Sequence, residues 1–316
     1  MKKYFALIMI LIILLVGCEG QQSEVTDTGA TSAAFIGGDI GLDMKFIQGA
    51  PPVEVYDKGF PFNINVMVQN AGEYDISSGE ARIRVVGIVP GDFGNPILEK
   101  SNLQDLRGAS LDPQSNTIDG GLEAVEFSNL QASPVKGSVP YKIRAEACYP
   151  YGTNVVTQIC ILDDLLGTTR KGGETPFCEV NEIKEVENSG APVKIANFKQ
   201  TATGKDKITF SFDVVHVGEG TIFKKGNMCV PDVANKNKAY VKVDTGITGG
   251  SLTCNGLNSG AEGEITLYGN AGSEKMSIFC VQTLPVRADS NKQINLELEY
   301  NYQQHIDTEL IVKHTE

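Results

Sequence analysis

Two stretches of this chain recur in the same order and at nearly the same spacing, and that repetition limits what it can fold into. In segment 62–73 the apolar residues Phe62, Ile64, Val66 and Val68 alternate with mostly polar ones and lead into Asn70, Gly72 and Glu73. Segment 208–219 does the same with Ile208, Phe210, Phe212 and Val214, leading into His216, Gly218 and Glu219 at an offset of 146 residues. The match continues to Ile76, which falls on Ile222. A second pair follows at an offset of 151: Ile143, Ala145, Ala147, Tyr149 and Tyr151 fall on Ile294, Leu296, Leu298, Tyr300 and Tyr302. At that offset Thr157 meets Thr308 and Ile159 meets Leu310. A period of two places alternate side chains on one face of a β-strand. Nearly equal offsets in a fixed order indicate a tandem duplication with small insertions.

Further alternating runs at 81–89, 124–130, 240–244, 263–268 and 275–281 are punctuated by Gly-rich turn signals such as Asp119-Gly120-Gly121 and Thr248-Gly249-Gly250. Many short strands with almost no helical periodicity predict an all-β chain, with short helical turns only near 103–106 and 231–236. At 316 residues there is room for two domains, each with its own core. The expected organisation is a signal peptide at 1–17, a flexible tether at 18–37, a first antiparallel β-sandwich at 38–165, a linker at 166–189 and a second sandwich at 190–316. The motif Val68-Gln-Asn70-Ala-Gly72 after an alternating strand resembles the immunoglobulin-like, CARDB-type adhesion modules of archaeal and bacterial surface proteins. Segments 41–46 through 49–52 and 147–151 are similar to the opening and closing segments of such modules in archaeal envelope lipoproteins. The second copy departs from the motif, with His216 where Asn70 stands. The resemblance implies immunoglobulin-like sandwiches and a surface role, and carries over no catalytic residue.

Lys2 and Lys3 precede thirteen apolar or aromatic residues, 4–16, a run shorter than a membrane-spanning helix and suited to a signal peptide. It ends in Leu15-Val16-Gly17-Cys18, which resembles the lipobox of prokaryotic lipoproteins. That resemblance implies cleavage before Cys18 and a lipid on its sulfur. Two acyl chains there would anchor the chain stably. Retention of the run as an uncleaved anchor is the other reading. Residues 19–34 carry no Lys or Arg and are rich in Gly, Gln, Ser and Thr, as flexible linkers are.

The chain has seven Cys, an odd number, and Cys18 accounts for the odd one. Export predicts that the other six pair, with fifteen connectivities open. Cys148–Cys160 is expected as a clip across one apparent hairpin and Cys254–Cys280 comes next, which leaves Cys178–Cys229 by subtraction. No CxxC or Cys/His spacing suggests zinc.

The remaining chemistry is sparse. A formal charge of −12 argues against nucleic-acid partners. The three His residues, His216, His305 and His314, are far apart, and neither a nucleophile elbow nor a phosphate loop is present. Segment 112–123 has Asp112, Asn116 and Glu123 at calcium-loop spacing, but Thr117 stands where the sharp turn needs Gly, so a turn is expected there. For His216 a structural hydrogen bond after the strand is expected, since Asn70 takes the same place; Glu219 would be its acid if it acted as a base. Tyr149, Tyr151, Tyr300 and Tyr302 read as packing residues, or alternatively as an aromatic platform. The sequence thus predicts a non-enzymatic lipoprotein without cofactor or metal. It would be held at the extracytoplasmic face of the membrane through Cys18 and would display two domains to other envelope or surface proteins. Capture of a small molecule or glycan is the alternative.

Overall fold

The computed structural model describes residues 33–169, 175–258 and 260–316. Cys18, the expected signal peptide and most of the tether lie outside the described residues. The first half contributes β1 (Leu42–Phe46), β2 (Glu54–Tyr56), β3 (Phe62–Asn70), β4 (Arg82–Val86), β5 (Glu99–Ser101), β6 (Ser110–Leu111), β7 (Thr117–Ile118), β8 (Leu122–Leu130) and β9 (Ser138–Ile161). The second contributes β10 (Val186–Asn188), β11 (Val193–Ala202), β12 (Lys207–His216), β13 (Thr221–Phe223), β14 (Lys238–Asp244), β15 (Leu252–Asn255), β16 (Glu262–Thr266), β17 (Lys275–Thr283) and β18 (Ser290–Lys313). The chain is all-β, and its sheets are antiparallel except where β2 lies parallel to β18. A single 3-10 turn, Pro90–Phe93, occurs among the described residues, and neither expected helical turn forms.

The two halves take equivalent places. Sheet β1-β3-β8 matches β11-β12-β17, to which β15 is added in the second half. Residue pairs keep step: Leu42↔Asn70 corresponds to Val193↔His216, and Val66↔Val125 to Phe212↔Ile278. Strand β3 shows strict alternation of buried and half-buried residues, because its even-numbered apolar side chains face a second sheet.

That second sheet is shared. Strands β9 and β18 are each 24 residues long and pair along their whole length. Tyr149 lies opposite Tyr302, Tyr151 opposite Tyr300, and Pro150 opposite Asn301. Shifting β9 by the repeat offset maps this ladder onto itself about the Pro150–Asn301 pair, so the duplication generates a pseudo-two-fold axis there. Strand β4 flanks β9 in one half and β14 flanks β18 in the other. Residues Ala33–Glu316 form one compact unit, so the repeats expected at 38–165 and 190–316 are halves of one body. Part of the expected linker, 166–189, is strand β10, paired with β9.

The shared strand also corrects two disulfides. Cys148 and Cys160 lie on the same extended β9. Twelve residues at ~3.3 Å each hold them about 40 Å apart, so the expected Cys148–Cys160 clip is impossible. Pro150 and Gly152 suggest a turn there, yet the strand runs straight through. Asn154 turns its N–H and C=O away from β18 toward Ser189, and the alternation aims the nitrogen of Pro150 to that same side. Neither β4, which begins with Arg82 opposite Cys148, nor β10, which ends with Asn188 opposite Val155, pairs there. The proline therefore removes no ladder bond. Cys148 pairs with Cys229 and Cys160 with Cys178, replacing the expected Cys178–Cys229; Cys254 pairs with Cys280 across β15 and β17 as expected.

Candidate functional site

The waist of the body is built from the four tyrosines. Residues two apart on a strand share a face, so Tyr149 and Tyr151 point the same way, as do Tyr300 and Tyr302. All four are at most 1% exposed. Their rings meet edge to face, with centroids 5.6 Å apart for Tyr149–Tyr151, 6.0 Å for Tyr149–Tyr302 and 6.3 Å for Tyr300–Tyr302. Rings this deeply covered pack the core and offer no platform. Burial raises the phenols of Tyr149 and Tyr300 well above the ordinary value and that of Tyr302 to about 12. They act as hydrogen-bonding groups with their protons on.

Each half solves the polar requirement of its second tyrosine differently. In the first, Tyr151 Oη donates to Asn70 Oδ1 at 2.9 Å, and Asn70 Nδ2 donates to the carbonyls of Tyr74 and Leu106 at 2.7 and 2.8 Å. In the second, Tyr302 Oη accepts the Gly220 N–H at 2.7 Å, which leaves its proton to donate to His216 Nε2 at 3.0 Å. The His216 Nδ1–H then donates to Glu274 Oε2 at 2.8 Å. His216 thus serves the structural role expected of it, but its acid is Glu274 rather than Glu219. Burial alone would raise the Glu274 carboxyl; the bond from His216 and nearby backbone donors outweigh it and hold the carboxyl below the ordinary value. The His216 and Glu274 side chains are 1% and 8% exposed, so the dyad is sealed inside the protein.

The glycine two residues on has a matching cause. A Cβ on Gly72 would lie 2.1 Å from Tyr151 Oη and 2.3 Å from the Gly190 carbonyl, and one on Gly218 would lie 2.3 Å from Tyr302 Oη. Gly72→Ala is therefore expected to lower stability by roughly 1–3 kcal/mol through overpacking, read as a reduced midpoint in thermal or urea unfolding. An unchanged midpoint would contradict this packing.

Beside the tyrosines, an open groove of about 440 Å³ runs between β1 and β18. Tyr302, Gln304 and Ile306 line it from β18, and Asp39, Asp43 and Glu219 bring carboxylates to it. Asp39 is ion-paired with Lys194, while Asp43 lies 3.8 Å from Lys45 with both side chains about half exposed. At one end Leu42 is held by side chains. Its N–H donates to Tyr149 Oη at 3.2 Å, and its carbonyl accepts from Gln304 Nε2. The incoming chain is pinned nearby by Glu73, which accepts the N–H groups of Ile36, Gly37 and Gly190 at 3.0, 2.9 and 2.6 Å.

The other sequence candidates lie elsewhere. Asp112 Oδ1 accepts the N–H groups of Gln114 and Asn116 at 2.8 Å each, closing the β6–β7 hairpin. Glu123 accepts the N–H groups of Leu103 and Gln104, so the carboxylates of the calcium-like segment have separate structural tasks. His305 is exposed on β18, and His314 Nδ1 bonds Asp57 Oδ2 at 2.7 Å. Among the described residues, no group of three or more His, Cys, Asp or Glu converges as metal ligands would, and no helix is long and apolar enough to cross a membrane.

No family model matches the chain, and no curated protein matches its sequence. Solved structures similar in part include the envelope protein VP37 of White Spot Syndrome Virus, with 12% identity over 48% of this chain and 97% of that one at a TM-score of 0.24. The secreted serine protease VesC of Vibrio cholerae gives 13% identity over 82% of this chain and 50% of that one, at 0.20. The CBD12 structure from CALX1.2 gives 12% identity over 78% and 76%, at 0.17. Likeness at this level assigns no role to the groove.

Proposed function

We propose that the protein is a lipid-anchored, non-enzymatic component of a prokaryotic cell surface whose immunoglobulin-like halves make structural or adhesive contacts with other envelope proteins. One observation carries the reading of the body as a contact module. The two sandwiches are fused through paired 24-residue strands and stapled by Cys148–Cys229, which makes a stiff element presenting fixed surfaces. Two features support the setting. Leu15-Val16-Gly17-Cys18 has the lipobox pattern, and three disulfides suit an oxidising compartment. The buried ionisable groups at the waist satisfy one another, which supports a structural rather than a chemical role for them. A groove volume within the range of small-ligand pockets favours capture of a small molecule or glycan as the second reading.

Membrane fractionation and crosslinking of intact cells expressing wild type or Cys18→Ser test the proposal. Wild type is expected in the membrane with protein adducts, and Cys18→Ser is expected to be unprocessed by lipoprotein maturation. Equal processing and membrane retention of Cys18→Ser would overturn the anchor. A co-purifying small molecule without protein adducts would favour the second reading.

A further inference from the structure

Among the described residues, the pseudo-symmetry leaves one strand position that the second half fills and the first does not. Strand β10 pairs with β9 through Val186↔Thr157, Glu187↔Val156 and Asn188↔Val155. It also serves the edge of β11: Asn188 Oδ1 accepts the N–H of Ile195 at 2.8 Å, and Asn188 Nδ2 donates to the carbonyl of Ile195 at 3.0 Å. Thr157 Oγ1 donates to the carbonyl of Glu185 at 2.6 Å. Under cover of β10, Val155 and Thr157 are 1% and 3% exposed.

At the repeat offset of 151, Val155 corresponds to Ile306, Thr157 to Thr308 and Ile195 to Met44. Ile306 and Thr308 are only half-buried. On the side away from β9, β18 is paired by β13 up to Gln303 and again by β2 from Ile311. Between them no strand among the described residues pairs with it. The alternation that aims Asn154 at Ser189 in β9 aims the N–H and C=O of His305 and Asp307 into this gap. Met44 presents its N–H and C=O on the side of β1 away from β3, as Leu42 does, and no side chain among the described residues plays the part of Asn188. The chain that would have filled the gap, residues 35–37, is held at the waist by Glu73 instead. Gln304 and Ile306 place the groove described above at this vacancy.

We infer that the groove between β1 and β18 accepts one extended segment of a partner protein. This segment adds to β18 as β10 adds to β9, a recognised mode of peptide capture. The internal template fixes its chemistry. An apolar residue lies opposite Thr308, as Val186 lies opposite Thr157. A basic residue follows opposite Asp307, because the groove lining, among the described residues, carries Asp39, Asp43 and Glu219 and no Lys or Arg, and Lys194 and Arg144 offset only Asp39 and Asp307. An Asn comes next and engages the N–H and C=O of Met44. The inference rests on the reading of the body as a protein-contact module and names the kind of partner.

Hydrogen exchange of the full chain, with and without the synthetic peptide acetyl-Lys-Glu-Val-Lys-Asn-Ser-Gly-amide, tests it without any membrane. In the free protein the His305 and Asp307 amides should exchange at least roughly tenfold faster than that of Val156, and saturating peptide should slow them by about tenfold or more. Asp307→Pro removes an N–H that faces the gap and should weaken peptide binding about tenfold or more, whereas Asp307→Asn should not. Slow exchange at His305 and Asp307 in the free protein, or no change with peptide, would overturn the inference. Protection that grows with protein concentration alone would overturn it in favour of a second copy as occupant. Failure here, with protein adducts still found on cells, removes this groove and leaves the contact role standing.

Discussion

Replacing Glu274 by alanine is expected to lower the stability of the folded chain by about 3 kcal/mol at neutral pH. The substitution leaves His216 Nδ1–H buried without an acceptor and unsettles the bond from Tyr302 Oη to Nε2. Stranding a buried partner of an ionised group loses more than the net worth of the bond. The first half supplies the control, because Asn70 meets the same requirement without a carboxylate. In a His216→Asn background Glu274→Ala should therefore lose much less, and a double-mutant cycle isolates the coupling. The effect also has a pH sign. Since the folded-state carboxyl sits below its ordinary value, the contribution of the pair is full above that ordinary value and fades as pH falls through the folded one. Urea unfolding of wild type and Glu274→Ala should show a gap that narrows in acid. A gap absent at pH 7 would contradict the assignment of Glu274 as the partner of His216.

Removing the Cys148–Cys229 bridge, as Cys148→Ser with Cys229→Ser, should have an effect of similar or greater size. The bridge spans 81 residues and ties the shared strand β9 to the loop between β13 and β14. Loop entropy for a closure of that length corresponds to about 4–5 kcal/mol. Removal of Cys254–Cys280, which spans 26 residues between neighbouring strands, should lose about 1 kcal/mol less on the same argument. Unfolding under non-reducing conditions compares the two variants. The pairing is checked separately by peptide mapping of unreduced protein, where a Cys148–Cys160 crosslink would refute the continuous β9.

What the sequence revealed and what it hid follow from how far each interaction reaches. Strands β3 and β12 were legible because one of their faces is buried along its length, which writes a period of two into neighbouring residues. The duplication was legible for the same reason. The hairpin expected between Cys148 and Cys160 is instead the continuous strand β9, in which the turn formers Pro150 and Gly152 sit within the ladder to β18. Only the sheet reveals that the nitrogen of Pro150 faces a place where no strand pairs. The Cys148–Cys160 expectation failed with it. Glu274 lies 58 residues from His216 and sits outside the repeated segments, so nothing near His216 pointed to it. Glu219 was nearer in sequence but borders the groove instead. The groove itself leaves no trace in composition or motif. It exists because residues 35–37 take a different course from their counterparts in β10, and only the comparison of the two halves in space exposes that difference.

The most direct test of the account is the mass of the mature N-terminal peptide, taken from the protein extracted from membranes. A chain that begins at Cys18 and carries a diacylglyceryl-type lipid on its sulfur is the expected result. A chain that still begins at Met1, with Cys18 unmodified, would contradict the proposal that this body is displayed from a lipid anchor.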